Sequence, residues 1–135
     1  MQTFVPYPDD TTTALCLDDK RLLKQIVECA QILKALGDPT YGWQNHPAVR
    51  MWRGFVPRLV NYTWTLQDEY AARRGRTVRV DLPLRYRFTR PENPGWWGGP
   101  IHATHRARLL RKAPGHYRVF GWQDDPSTPY HWPVS

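Results

Sequence analysis

Several features are scarce in this chain, and each absence removes a class of protein. Cysteine occurs twice, as Cys16 and Cys29, with no CxxC pair. That spacing supports neither a disulfide framework nor a zinc cluster, and a reducing compartment fits it. No run of about 18 apolar residues occurs, and the N-terminus lacks the charged start and apolar stretch of a secretory signal. A soluble, cytoplasmic protein with no membrane partner is therefore expected. Acidic residues are few, with 12 Asp+Glu against 19 Lys+Arg and a formal net charge of +7. No long basic amphipathic helix with an apolar insertion face accompanies that charge, which leaves nucleic acid as the better partner.

What is present narrows the class further. Fifteen of the 19 basic residues are arginine, the side chain suited to bidentate contact with phosphates. The 135 residues give room for one domain spanning 1–135 with one core. Seven Trp and seven Tyr beside 13 Pro argue for prolines that shape ordered loops, since disordered chains are poor in aromatics.

Along the chain, Met1 to Asp10 reads as an extended arm carrying Pro6 and Pro8. A first helix is expected over Leu15–Leu36, capped by Thr11, Thr12 or Thr13 or starting later at Asp18, and stopped by Gly37 and Pro39. A second runs from Pro47 to Gly75, with Pro57 implying a kink or a broken start. A third covers Ile101–Lys112. Between the last two, Thr77–Gly99 is a long irregular loop whose Trp96-Trp97 pair suits either a lid or wedge, or a satellite core. Pro114–Ser135 is an aromatic, proline-rich tail. The fold class is all-α: a compact three-helix domain with a long loop and that tail.

Helical geometry sorts the candidate site residues. At about 100° per residue, Lys24, Gln25 and Glu28 fall on the same side as Arg21, opposite a core stripe of Leu22, Leu23, Ile26, Ala30 and Leu33. Ile32 falls on the polar side and is an anomaly. An ordinary solvated face explains the pattern. If a phosphate sits over Arg21 and Lys24, however, Glu28 is a lone carboxylate on an anion-binding surface, which asks for an acid-base role. Arg108 and Lys112, with Tyr117 and Arg118 close behind, suit a phosphate grip with base stacking. His46, Arg50 and Arg53 form a third cationic group, with Trp52 on the core stripe. His102 and His105 lie at i, i+3, but no third ligand is evident, so no metal and no other cofactor is expected.

Leu17, Asp19, Leu22 and Glu28, then Ala107-Arg108-Leu109 with Lys112, then Tyr117-Arg118 and Phe120-Gly121 resemble phage-type endonuclease V, the pyrimidine-dimer DNA glycosylase with an abasic-site lyase activity. Met1-Gln2-Thr3-Phe4, His46-Pro47-Ala48-Val49 and the Pro129–Pro133 ending are similar to a bacterial and actinophage branch of it. The resemblance implies an arm that threads between helices to bring its α-amine beside Glu28. There the amine attacks C1′ of a damaged nucleotide in a kinked duplex, while the glutamate stabilises the sugar cation. In the family a small residue follows the initiator methionine; Gln2 is large and blocks methionine removal, so the implied amine is that of Met1. Val27 and Gln31 stand where the family has arginines, and Lys24 is an alternative amine one turn from Glu28.

The leading expectation is a DNA glycosylase, with or without lyase activity, acting on a pyrimidine in double-stranded DNA as a nucleoid-associated monomer. Glu28 and Met1 would be catalytic, and Arg21, Lys24, Gln25, His46, Arg50, Arg53, Arg108, Lys112, Tyr117 and Arg118 would bind DNA. A non-catalytic DNA-binding module and an enzyme of modified-nucleotide metabolism are the alternatives.

Overall fold

The computed structural model describes residues 1–134; Ser135, the end of the expected tail, lies outside the described residues. Those residues form six α-helices, α1 (Asp10–Cys16), α2 (Asp19–Gly37), α3 (Pro47–Arg50), α4 (Val56–Arg74), α5 (Ile101–Lys112) and α6 (Pro114–Tyr117), with short 3-10 turns at Leu84–Tyr86 and Arg118–Phe120. Among the described residues there is no strand, and no helix is long and apolar enough to cross a membrane. The all-α expectation holds, with α2, α4 and α5 as the three long helices.

The expected first helix is two helices. Asp9, rather than a threonine, caps α1 by accepting from the Thr12 backbone N–H at 3.0 Å. The chain turns extended at Leu17 and Asp18 before α2 begins. Distant side chains hold the break open. Arg73 of α4 donates to the carbonyls of Ala14, Leu15 and Leu17, satisfying the C-terminal end of α1. The Tyr117 hydroxyl accepts from the Asp18 N–H at 3.1 Å and donates to the Asp18 carboxylate.

The second expected helix is also divided. His46 caps α3, its Nδ1 accepting from the Ala48 N–H at 3.0 Å. The chain then turns through Gly54, whose φ of +87° only glycine adopts cheaply, and Pro57 falls in the first turn of α4. At that position its missing N–H costs nothing, so the proline starts a helix instead of kinking one. Gly75 ends α4 in a left-handed conformation, φ +68°.

Packing of α2 on α4 forms the core, with Leu22, Ile26, Cys29, Leu59, Tyr62 and Leu66 all fully buried. The two thiols, Cys16 and Cys29, are free and buried, and burial pushes each up to about 12. Trp96 and Trp97 belong to a satellite of this core. The Trp96 indole donates to the Met51 carbonyl at 2.9 Å and meets Trp52 edge-on, while Trp97 lies beneath the Arg58 guanidinium at 4.3 Å. The Arg58 guanidinium also makes a bidentate pair with Asp10 at 2.7 and 2.8 Å, tying α4 to α1.

Candidate active site

The arm defines the site. Residues 2–6 are buried, and an extended segment among helices has no ladder to join, so its backbone polar groups need side-chain partners. The Phe4 N–H donates to Gln25 Oε1 at 2.6 Å, and Gln25 Nε2 donates back to the Gln2 carbonyl at 2.8 Å. Tyr62 donates to the Phe4 carbonyl. The Trp52 indole donates to the Thr3 hydroxyl at 2.8 Å, and Arg106 donates to the Pro6 carbonyl at 2.8 Å.

Val5 is held at both ends by α5. Its N–H donates to His105 Nδ1 at 2.9 Å, and its carbonyl lies 2.6 Å from His102 Nδ1. The Gly98 N–H donates to His102 Nε2 at 2.8 Å, so that nitrogen is unprotonated and Nδ1 carries the proton given to Val5. His105 has the opposite tautomer. Burial holds both rings below the ordinary histidine range, His105 at about 3, where His102 and His131 add further depression. The histidine pair weighed as a metal chelate is thus a neutral clamp on the arm.

The arm's first residues end in an open hollow of about 360 Å³ along one face of α2. Its walls include the cations Lys20, Arg21, Lys24 and Lys112, with Glu28 as the carboxylate among them. Met1, Gln2, Phe4, Gln25 and Tyr130 complete the lining. The Gln2 backbone N–H donates to Glu28 Oε2 at 3.2 Å, so the peptide joining residues 1 and 2 abuts the carboxylate. Partial desolvation, then the nearby Arg21, Lys24 and Arg108, hold the Lys112 ammonium below the ordinary lysine range. An anion entering the hollow relieves that repulsion, which is the electrostatic property of a phosphate site. His46 is depressed by partial burial and then by the N-terminal amine, while Glu28 opposes that fall. Its ring therefore senses both groups.

Sequence periodicity rotated the buried stripe of α2. With Arg21 at zero, the buried residues Leu22, Gln25, Ile26, Cys29, Ile32 and Ala35 centre at about 60°. Leu23, expected in the core, is 36% exposed. The arm covers the flank of α2 at Gln25 and commits its amide to the arm backbone, while Ile32, the anomaly of the polar side, is fully buried in the core cluster.

The structure brings together Met1, Arg21, Lys24, Gln25, Glu28 and Lys112 at the hollow. Arg108 flanks it, its guanidinium 4.5 Å from the Tyr130 ring centre. Others lie apart. Tyr117 is fully buried with its hydroxyl committed to Asp18, so it offers no stacking face. Arg53 donates to the Gln44 carbonyl at 3.0 Å and braces the loop before α3; Arg50 and Arg118 are exposed and do not line the hollow. Lys20, Gln2, Phe4 and Tyr130 were missed. Lys20 was legible, since it lies one turn before Lys24 on the same face. The others reach the site only through tertiary folding.

A family model described as "Pyrimidine dimer DNA glycosylase" matches residues 1–84, a span that contains the arm, α1 to α4 and Glu28. No curated protein and no solved structure matched the chain. The matched span supplies the carboxylate, the arm and three of the four cations of the hollow, and α5 and the tail add Lys112 and Tyr130 to the same walls. On that match the chain belongs to the pyrimidine dimer DNA glycosylase family.

Proposed function

We propose that this protein excises a damaged pyrimidine from double-stranded DNA, with the α-amine of Met1 as nucleophile and Glu28 as the catalytic carboxylate. The observation that carries the reading is the Gln2 N–H hydrogen bond to Glu28 inside a cation-walled hollow. Lys20, Arg21, Lys24 and Lys112 bind backbone phosphates and offset the charge repulsion between Glu28 and DNA. The amine lone pair forms a bond to C1′ as the C1′–N1 bond breaks, and the departing electron pair goes to the base, which takes up the proton the amine sheds. Glu28 stabilises the cationic character at C1′ as that bond lengthens. The nitrogen lone pair then forms the second C–N bond as the C1′–O4′ bond opens, and the remaining N–H proton, relayed by Glu28, goes to O4′, leaving an imine between the protein and the sugar.

Strand cleavage follows from the same intermediate. Loss of a C2′ proton to Glu28 expels the 3′ phosphate with the C3′–O electrons, giving the lyase product. Borohydride trapping on abasic duplex DNA, with mass mapping of the adduct, tests the nucleophile. Attachment at Met1 is expected; attachment at Lys24 moves the chemistry one helical turn, and no adduct while abasic product accumulates indicates water as the nucleophile. Glu28→Gln is expected to lower turnover by roughly 10²–10⁴ while duplex affinity is retained. Unchanged behaviour of that variant, with no turnover in the parent, is the signature of a DNA-binding module.

A further inference from the structure

Trp43 combines two features that rarely coincide. It is the one non-glycine among the described residues with a positive φ, +71°, a conformation that strains a bulky side chain and persists only where the surroundings over-determine it. Its side chain is also 59% exposed, while every other tryptophan is buried or half-buried. The loop around it supplies the constraint. Gln44 Nε2 lies 2.7, 2.8 and 3.1 Å from the carbonyls of Ala35, Asp38 and Tyr41, and Arg53 donates to the Gln44 carbonyl. The His46 N–H donates to the Trp43 carbonyl at 3.0 Å. Backbone strain is thus spent on holding a large ring out in water.

That ring stands at the outer end of a row that begins at the hollow. Trp43 meets His46 with centroids 5.7 Å apart, His46 meets Trp132 at 5.9 Å, and Trp132 meets Tyr130, a wall of the hollow, at 5.5 Å. The indole therefore lies at most about five base-pair steps of 3.4 Å from that wall. Arg50 and Arg53 follow it in the chain and are exposed, and the carboxylate of the same loop, Asp38, is occupied by Thr40. The surface beside the ring suits a polyanion.

We infer that the Trp43 indole stacks on the face of a base that the lesion leaves unstacked beside the damaged nucleotide, and so contributes affinity for damaged over intact duplex. This rests on the glycosylase reading above. In an intact duplex the internal bases cover one another, whereas a damaged pair costs least to unstack. Stacking on an aromatic ring accepts any base, because every base has a π-face. A ring already fixed in place by its loop loses little freedom on binding.

Binding is measured in the Glu28→Gln background, which holds the substrate uncut, on duplexes with and without a cyclobutane pyrimidine dimer. Both ends are closed by hairpins, so that no terminal pair offers a base face. Trp43→Gly removes the ring and suits the positive φ; Trp43→Phe keeps a stacking face. Trp43→Gly is expected to bind the dimer duplex roughly tenfold more weakly and the intact duplex within about twofold of the Trp43 protein, with Trp43→Phe within about threefold on both. The Tm of Trp43→Gly should be no lower, since glycine relieves the strain. A Tm that falls together with both affinities overturns the assignment, because Trp43 then only holds the loop. Equal weakening on the two duplexes, unchanged affinity, or a Glu28→Gln protein that does not prefer the dimer duplex overturns it as well, and excision by the parent in those cases leaves the glycosylase reading standing. A parent protein that neither excises nor traps overturns that reading, and this assignment with it.

Discussion

Protonation of His105 should unseat the arm, and the size of the effect follows from the clamp on Val5. The His105 ring is fully buried and accepts the Val5 N–H through Nδ1. A proton on that nitrogen replaces an acceptor with a donor facing a donor, with His102 next to it on α5. In the unfolded chain the same ring titrates near the ordinary value of about 6.5, whereas burial holds it at about 3 in the folded protein. Between those values the unfolded state binds more protons, so stability is complete above pH 6.5 and falls as the pH drops. At pH 5.0, well above the folded value, the loss relative to pH 7.5 is set by the unfolded-state titration and comes to about 2 kcal/mol for this one ring. His102 is depressed in the same direction and adds to it. Asp38 and Asp125, whose carboxyls are lowered by hydrogen bonds from Thr40 and Ser127, act at more acidic pH. Urea denaturation of the parent and of His105→Gln at pH 7.5 and 5.0 measures the contribution. The variant starts less stable and should lose about 2 kcal/mol less on acidification. Equal losses in the two proteins would refute the argument, since a titration that survives removal of the ring does not belong to it.

Three further outcomes follow from the same structure. Arg58→Met leaves the Asp10 carboxylate, whose side chain is 12% exposed, without its bidentate partner, and should cost roughly 3–5 kcal/mol. Adding Asp10→Asn should recover part of that in chemical denaturation; no recovery would mean that the Trp97 stacking matters more than the pair. Gly75→Ala meets no atom within 4 Å yet must hold φ near +68°, so a loss of about 1 kcal/mol is expected from backbone strain alone, and an unchanged Tm contradicts it. Lys112→Met removes one cation of the hollow, and the slope of log Kd against log salt for duplex DNA should fall by about 1; an unaltered slope removes Lys112 from the phosphate contacts.

How far the sequence exposed this arrangement depended on whether a feature was local. The apolar spacing of α2 and α4 and the Gly75 stop are encoded within a few turns, and all were legible. So was the carboxylate among cations at Arg21, Lys24 and Glu28, because helical geometry alone puts them on one side. The break at Leu17 and Asp18 was only half visible: Asp18 signalled a helix start, but the partners that hold the break open, Arg73 and Tyr117, lie 56 and 99 residues from those they bond. Tyr117 was misread for the same reason. An aromatic after a cationic run suits base stacking until its hydroxyl is found committed to a helix cap. Gln25 was placed on an open polar face because periodicity takes a helix as facing either core or water, and here a third neighbour, the arm, covers that part of the polar side.

That arm explains why polar side chains are buried in the core. A chain terminus can enter a hollow between helices only if several residues of backbone are buried with it. An extended segment in that position cannot form helical hydrogen bonds, and among the described residues no strand is present to pair with it. Each buried N–H and C=O must then be met by a side chain or lose about 1–3 kcal/mol. Gln25, Tyr62, His102, His105 and Arg106 meet them, from three different helices. These contacts fix the arm in register, because sliding it by one residue would put donors against donors at Val5. Registration by side chains rather than by a sheet also couples the position of residues 1 and 2 to the protonation of two histidines. Acid inactivation should accordingly precede loss of helix content: as the pH falls toward the folded His105 value of about 3, turnover should decline while circular dichroism at 222 nm is still that of the native protein. A rate that falls only in step with the helical signal would mean that the arm and the helices melt as one unit, and that the clamp has no separate hold on the site.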